Sequence, residues 1–149
     1  MKKFKFRYDS VLKMRMDQED RIKNELAQVI TIRQNKIDAL EKVVQSAQLY
    51  DHHVQTVLDS GDSSKERAGF SHNKRYYRDK KTELRDEIQK LDQKIKQIQL
   101  KLVEAMKDRK VMEKLKENAF KEFVEAINEA DEKLIEEVVN YSNNKRNGE

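Results

Sequence analysis

The hydrophobic positions of this chain recur at alternating steps of three and four residues over most of its length. In the first half, the series starts at Leu12 and runs to Leu58, with polar interruptions at Glu19, Arg33 and Asp51. Residues three and four apart lie on the same face of an α-helix. The pattern therefore predicts one long amphipathic helix over about residues 8–58.

The periodicity breaks clearly at residues 59–64, where the chain reads Asp-Ser-Gly-Asp-Ser-Ser. Gly61 can adopt the left-handed conformation that commonly ends a helix. Ser63 or Ser64 can then cap the first turn of a second helix. These residues predict the turn that joins two helices.

Two rows of residues with a seven-residue spacing follow the turn. One row starts at Leu84 and the other at Ile88, and all of their members are apolar except Arg109 and Lys116. The members are Leu84, Ile88, Leu91, Ile95, Ile98, Leu102, Ala105, Arg109, Met112, Lys116, Ala119, Phe123, Ala126 and Ala130. A sustained seam of this kind is typical of a coiled coil.

A single turn between two long helices predicts that the helices pack side by side in opposite directions. The predicted fold class is therefore all-α, a long antiparallel two-helix coiled-coil hairpin. We expect a single domain over 1–149, with helix two over about 65–142 and a frayed tail at 143–149.

The two predicted helices differ in length, so part of helix two should extend beyond helix one. If pairing starts at the turn, Tyr8 lies opposite about residue 115. The residues beyond still carry an apolar stripe, made of Phe120, Phe123, Ile127, Leu134 and Val138. Such a stripe without a partner in the chain indicates an intermolecular contact. Alternatively, the hairpin bends or the N-terminal aromatic residues fold over part of the stripe.

Composition excludes several other classes of protein. The 149 residues include no proline, no cysteine and only three glycines, so folds that need many turns or disulfides are not expected. There is no apolar run long enough to cross a membrane and no signal-peptide pattern, which predicts a cytosolic protein. There is also no phosphate-binding loop, nucleophile constellation or metal-ligand spacing. We therefore expect no enzymatic activity, no cofactor and no metal.

Charge is distributed unevenly along the chain, although the net charge is only +4. Residues 1–16 hold six Lys or Arg against one Asp, and residues 65–81 hold seven against two acids, a net charge of +5 in each. Residues 121–139 hold two lysines against seven acids, a net charge of −5. The second basic segment also contains Phe70, Tyr76 and Tyr77, a composition that nucleic-acid-binding surfaces share. Strong local charge of either sign favours a charged partner.

Both ends of the chain resemble the FliJ family of flagellar export proteins. At the start, the resemblance rests on Phe4, Phe6, Val11, Leu12, Met14, Arg15, Glu19, Glu25, Leu26 and Ala27. Near the other end, the stretch that leads to Asp131 and Glu132 is similar to the C-terminal helix of that family. The length, the single turn and the absence of proline agree with this resemblance.

The resemblance implies a component and chaperone of the flagellar type III export apparatus. FliJ-like proteins resemble the stalk of a rotary ATPase, which implies that the end with both termini binds the hexameric export ATPase ring and promotes its assembly and activity. The region near the turn would contact the membrane export gate protein and substrate-specific export chaperones. We then expect a cytoplasmic protein, held peripherally at the cytoplasmic face of the cell membrane, without nucleic acid or direct membrane insertion.

Specific residues are expected at each of the two ends. At the ATPase-binding end they are Arg15, Glu19, Phe123, Asp131 and Glu132. At the gate-binding end they are Phe70, Lys74 and Tyr77. Two other functions stay open at this point: a self-associating structural scaffold, and a basic nucleic-acid-binding hairpin.

Overall fold

The computed structural model describes residues 2–61 and 64–148, with side chains in the second range from Arg67 onward. It contains two α-helices, α1 (Asp9–Ser60, 52 residues) and α2 (Ser64–Asn147, 84 residues). The described residues include no β-strand. The two long helices pack together, which confirms the prediction of an all-α helical hairpin.

The end of α1 has the geometry that the turn sequence predicts. Gly61 has a φ of 71°, in the left-handed region, and its amide nitrogen donates to the carbonyl oxygen of Leu58 at 3.3 Å. A residue with a Cβ atom is strained in this conformation, so glycine is the natural choice here. Ser63, one of the two predicted caps, lies outside the described residues, as does the side chain of Ser64.

Helix α2 is longer than expected at its C-terminal end. Residues 143–147, predicted as part of a frayed tail, are helical. The amide nitrogen of Gly148 still donates to the carbonyl oxygen of Asn144 at 3.0 Å, which continues the hydrogen-bond ladder. This stretch contains no proline, and polar residues with moderate helix propensity are enough to extend a helix that has already formed.

The chain divides into two compact units. The turn unit is Arg21–Val103, and the terminal unit combines Met1–Asp20 with Glu104–Glu149. Each unit contains a part of both helices.

In the turn unit, the buried side chains belong to the periodic apolar rows. They are Val29, Ala47 and Val54 of α1, and Leu84 and Ile98 of α2. Arg33, read as an interruption of the seam, hydrogen-bonds to Asp92, and Lys36 lies 2.9 Å from a carboxylate oxygen of Glu87. Arg33 pairs with Asp92, and Lys36, three residues later in α1, pairs with the earlier α2 residue Glu87. The two helix segments of this unit therefore run antiparallel.

The terminal unit has its own buried residues in the apolar rows, Leu12 of α1 and Ala105 of α2. The Lys116 ammonium donates to Asp9 Oδ1 at 3.1 Å, close to the register expected from pairing at the turn. The seam ends earlier than the seven-residue rows predict, because Ala126 and Ala130 are exposed. Helix α1 begins only at Asp9, so no α1 residue is left to cover these two alanines.

Candidate partner-binding surfaces

The N-terminal segment of the terminal unit packs on α2 through an aromatic cluster. The ring centre of Phe4 lies 5.3 Å from that of Phe120 and 5.5 Å from that of Phe123. These distances are typical of favourable aromatic pairs. The expectation that N-terminal aromatic residues fold over part of the apolar stripe is therefore met, but only as far as Phe123.

Beyond Phe123, α2 has no cover from any described residue. Every described residue from Val124 to Gly148 is exposed. The large apolar side chains in this stretch are Val124, Ile127, Leu134, Ile135, Val138, Val139 and Tyr141. Five of them, at steps of three, four or seven residues, define what we call the C-terminal apolar face: Val124, Ile127, Leu134, Val138 and Tyr141. With 100° of rotation per residue, these five lie within about one third of the helix circumference.

Asp131 and Glu132 lie on this exposed stretch, but on different sides of α2. Asp131 follows Ile127 by four residues and precedes Leu134 by three, so it lies within the C-terminal apolar face. Glu132 lies one residue later and therefore points away from that face. Only Asp131 can contact the same partner surface as the apolar residues around it.

Glu19 is not on the surface of the terminal unit. It is only 4% exposed and accepts a hydrogen bond from the Arg109 guanidinium, which also donates to Glu113 Oε1 at 2.8 Å. The hydrogen bond to Glu113, followed by that to Glu19, raises the pKa of Arg109, so this group stays charged. Two residues that interrupt the apolar seam, one in each helix, thus pair with each other. Sequence reasoning missed this pair, although both interruptions were visible.

Arg15 remains on the surface beside this buried pair. Its guanidinium Nη1 lies 3.5 Å from Asp108 Oδ2, and both side chains are partly exposed. An ion pair of this kind is loose and open to solvent, so Arg15 can exchange Asp108 for a partner's carboxylate. All five residues expected at the ATPase-binding end belong to the terminal unit.

In the turn unit, two of the three expected gate residues, Phe70 and Tyr77, pack against a side chain that sequence reasoning did not single out. The ring of Tyr50 lies 6.3 Å from that of Phe70 and 5.6 Å from that of Tyr77, and its hydroxyl accepts a hydrogen bond from Asn73 Nδ2 at 3.0 Å. Phe70 and Tyr77 are consequently half-buried, whereas Lys74 is exposed. The outward-facing aromatic residue is Tyr76, which is 59% exposed.

A groove runs along α2 next to this aromatic cluster, and we call it the basic groove. It is lined by Ala47 and Asp51 of α1 and by Lys74, Tyr77, Arg78, Lys81, Thr82 and Arg85 of α2. Its four cationic residues follow each other at steps of four, three and four, so they lie on one side of the helix. The groove is wide and open, with no enclosed cavity for a small substrate.

Two kinds of site are missing from the part of the chain that the structure describes. No group of three or more His, Cys, Asp or Glu residues there could hold a metal ion. No helix in the same residues is both long enough and apolar enough to cross a membrane. What the described surface does offer is one apolar helix face and one basic groove, both of which suit binding to another macromolecule.

Comparison with known proteins gives one match. The family model described as FliJ, Flagellar FliJ protein, matches residues 4–148. The matched range includes both ends of the chain, on which the resemblance in the sequence rests. No curated protein and no solved structure matches the chain.

Proposed function

The chain belongs to the FliJ family, which makes it a component of the flagellar export apparatus, and from this premise we propose that it is the export chaperone that binds the export ATPase ring as a stalk. In this proposal the terminal unit enters the ring and promotes its assembly and activity. The turn unit links the ring to the membrane export gate and to substrate-specific chaperones. The protein then resides in the cytoplasm, at the cytoplasmic face of the cell membrane.

The C-terminal apolar face is the observation that carries this proposal. Leu134, Val138 and Tyr141 are 59–69% exposed, and Val124 and Ile127, at the start of the face, are 38% and 40% exposed. Water-exposed apolar rows of this length are unfavourable unless a partner covers them. A helix that presents such a row suits insertion into an apolar channel or groove of a partner protein.

The terminal unit adds charged groups that can orient the helix in the partner. Asp131 lies within the apolar face, and Arg15 lies on the surface further along the unit. Charges beside an apolar contact contribute more to orientation and to the rate of encounter than to affinity. We therefore assign direct contacts to Arg15, Phe123 and Asp131, and assign Glu19 to the internal pair that holds the two helices in register. Glu132, which was also expected at this end, points away from the apolar face and is not assigned to this contact.

The proposal is tested by measuring turnover of the purified flagellar export ATPase with increasing amounts of this protein. We expect turnover to rise and to saturate at a single copy per hexameric ring. Replacing Leu134→Asp together with Val138→Asp should raise the concentration for half-maximal stimulation at least about tenfold, which corresponds to about 1.4 kcal/mol of lost binding. Unchanged turnover with the wild-type protein would contradict the stalk function.

A matched control separates loss of the apolar face from a general effect of new charges. Leu49 and Leu100 are also exposed leucines within helices, but they belong to the turn unit. Leu49→Asp together with Leu100→Asp adds the same two negative charges and should leave stimulation unchanged. Equal losses in both double variants would mean that the C-terminal apolar face is not the contact.

The proposed gate contact has a separate test. Phe70→Ala with Tyr77→Ala should weaken binding to the export gate protein and leave ATPase stimulation intact. Because both rings pack on Tyr50, the variant Tyr50→Ala serves as the packing control. If Tyr50→Ala weakens gate binding as much as the double variant, the aromatic residues act through packing and Lys74 or Tyr76 remains as the direct contact.

A further inference from the structure

The four cations of the basic groove face a single carboxylate from α1, Asp51, and none of the four forms an ion pair with it. Arg78 lies 3.8 Å from its own neighbour Asp79, a weak contact between two exposed side chains. Lys74, Lys81 and Arg85 form no ion pair with any described residue. Two other cations of the turn unit are matched across the helices, Arg33 with Asp92 and Lys36 with Glu87. A row of unmatched cations along an open groove is a site for an anionic partner.

The spacing of these cations indicates the shape of that partner. Steps of four, three and four place Lys74 and Arg85 at the ends of a strip about 16 Å long, at 1.5 Å per residue. A helix with carboxylates at matching steps can lie along such a strip and pair with each cation in turn. Asp51 also lines the groove, and it would repel a continuous anionic surface more than a helix with carboxylates at separate points.

The chain itself contains a helix segment with this pattern, which we call the acidic strip. Its glutamates follow steps of three, four, three and four, and all are exposed: Glu122, Glu125, Glu129, Glu132 and Glu136. None of them forms an ion pair with a described residue. Successive 100° rotations place the strip on the side of α2 opposite the C-terminal apolar face. Occupation of one side therefore leaves the other accessible.

We propose that the basic groove of one copy binds the acidic strip of a second copy in an antiparallel arrangement. The last four glutamates, whose steps of four, three and four match those of the cations, then face the four cations in reverse order. The pairs are Glu125 with Arg85, Glu129 with Lys81, Glu132 with Arg78, and Glu136 with Lys74. The contact joins two different surfaces, so it is heterologous and lets each copy add a further one. It does not depend on ATPase binding, so it can fail while the stalk function holds.

The proposal is tested by sedimentation equilibrium of the full chain at two salt concentrations. Pairs of exposed charges are weak individually and are screened by salt. We expect the weight-average mass to rise above 17.8 kDa with protein concentration at about 20 mM salt, where the Debye length is about 20 Å. It should return to the monomer mass at about 0.5 M salt, where that length is about 4 Å. A mass that stays at the monomer value at low salt overturns the proposal.

Two charge-reversal variants identify the surfaces that are involved. The groove variant carries Lys74→Glu, Arg78→Glu, Lys81→Glu and Arg85→Glu. The strip variant carries Glu125→Lys, Glu129→Lys, Glu132→Lys and Glu136→Lys. Each variant alone should remain monomeric at low salt, because its groove and strip carry charges of the same sign. An equimolar mixture should associate again, because the reversed groove of one variant matches the reversed strip of the other.

A control variant keeps the net charge of the groove variant but leaves the groove intact. It carries reversals of four exposed lysines outside the groove, Lys94→Glu, Lys96→Glu, Lys101→Glu and Lys110→Glu. The control should associate as the wild type does. If it becomes monomeric too, or if the mixture fails to associate, net charge explains the result and the proposal is overturned. Helix content by circular dichroism is checked for every variant, and glutamine replaces the reversed residues wherever helix content falls.

The same proteins distinguish other anionic partners. Vesicles with about one third anionic lipid, within the range of surface charge that recruits basic segments, and a short duplex DNA serve as probes. If the groove variant loses binding to either probe while it self-associates as the wild type does, the groove serves that partner and the proposal is overturned.

Discussion

The burial of Ile98 in the turn unit leads to a stability prediction with a built-in comparison. Ile98 is 2% exposed and lies in the seam, whereas Leu100, two residues further along α2, is 69% exposed. We expect Ile98→Ala to destabilise the hairpin strongly and Leu100→Ala to have little effect. The two variants remove the same number of carbon atoms from the same helix, so only burial distinguishes them.

The magnitude follows from the number of carbon atoms removed. Each variant removes three, and at about 0.8 kcal/mol per buried carbon Ile98→Ala loses about 2.4 kcal/mol of transfer free energy. A pair of helices can close partly over the gap, so the cavity adds little and the total is about 2.5–3.5 kcal/mol. Leu100 has only about one third of its surface covered, so Leu100→Ala should lose about 0.7 kcal/mol.

Urea unfolding followed by circular dichroism at the helix band measures both changes. Comparison of the midpoints, with equal slopes, gives the difference in the free energy of unfolding. The free energy of unfolding of Ile98→Ala should be about 2 kcal/mol lower than that of Leu100→Ala. If the free energies of unfolding of the two variants differ by less than about 0.5 kcal/mol, Ile98 does not lie on the inward face of α2.

Two further predictions concern the backbone and the buried ion pair. Gly61→Ala forces a side chain into the left-handed region and should cost about 1–2 kcal/mol. Gly69→Ala should instead stabilise α2 by about 0.5–1 kcal/mol, because its new Cβ atom comes no closer than 3.9 Å to Asn73 Nδ2. Urea unfolding measures both changes. If both variants change the free energy of unfolding in the same direction, the assignment of Gly61 to the turn and Gly69 to the helix is contradicted. Glu19→Leu and Arg109→Leu should each lower the melting temperature, because each removes one half of the hydrogen-bonded pair that joins the two helices, whereas the double variant should recover most of the loss. A double variant as unstable as the sum of the two would show that the pair does not couple the helices.

The fold was predictable because the physical signals for it are local. The alternation of apolar and polar residues determines which side of each helix turns inward, and Gly61 determines where α1 ends. The seven-residue rows identified the seam of α2 correctly through Phe123. The seam predicted from these rows extended too far, to Ala130. The periodicity of one helix carries no information about where its partner helix begins.

The pairing between the helices was harder to predict because it depends on register. Glu19 reads in the sequence only as a polar interruption of the α1 seam, and the sequence of α1 does not show which residue lies opposite it. Only the alignment of the helices shows that Arg109 occupies that position. Tyr50 was missed for the same reason, because its neighbours Phe70 and Tyr77 come from the other helix. A polar residue that interrupts the apolar seam at a similar distance from the turn in each helix is the signal that could have indicated the ion pair.

The uncovered end of α2 affects how quickly the protein can recruit a partner. Nucleation, the step that limits helix formation in a short isolated peptide, is already complete in the packed turns before Val124, so the residues up to Asn147 form by propagation alone. They are expected to unwind from the tip inward and to rewind rapidly, with amide hydrogen exchange fastest near Asn147. A partner that captures this segment meets a backbone that is already ordered, and the loss of conformational entropy on capture is small.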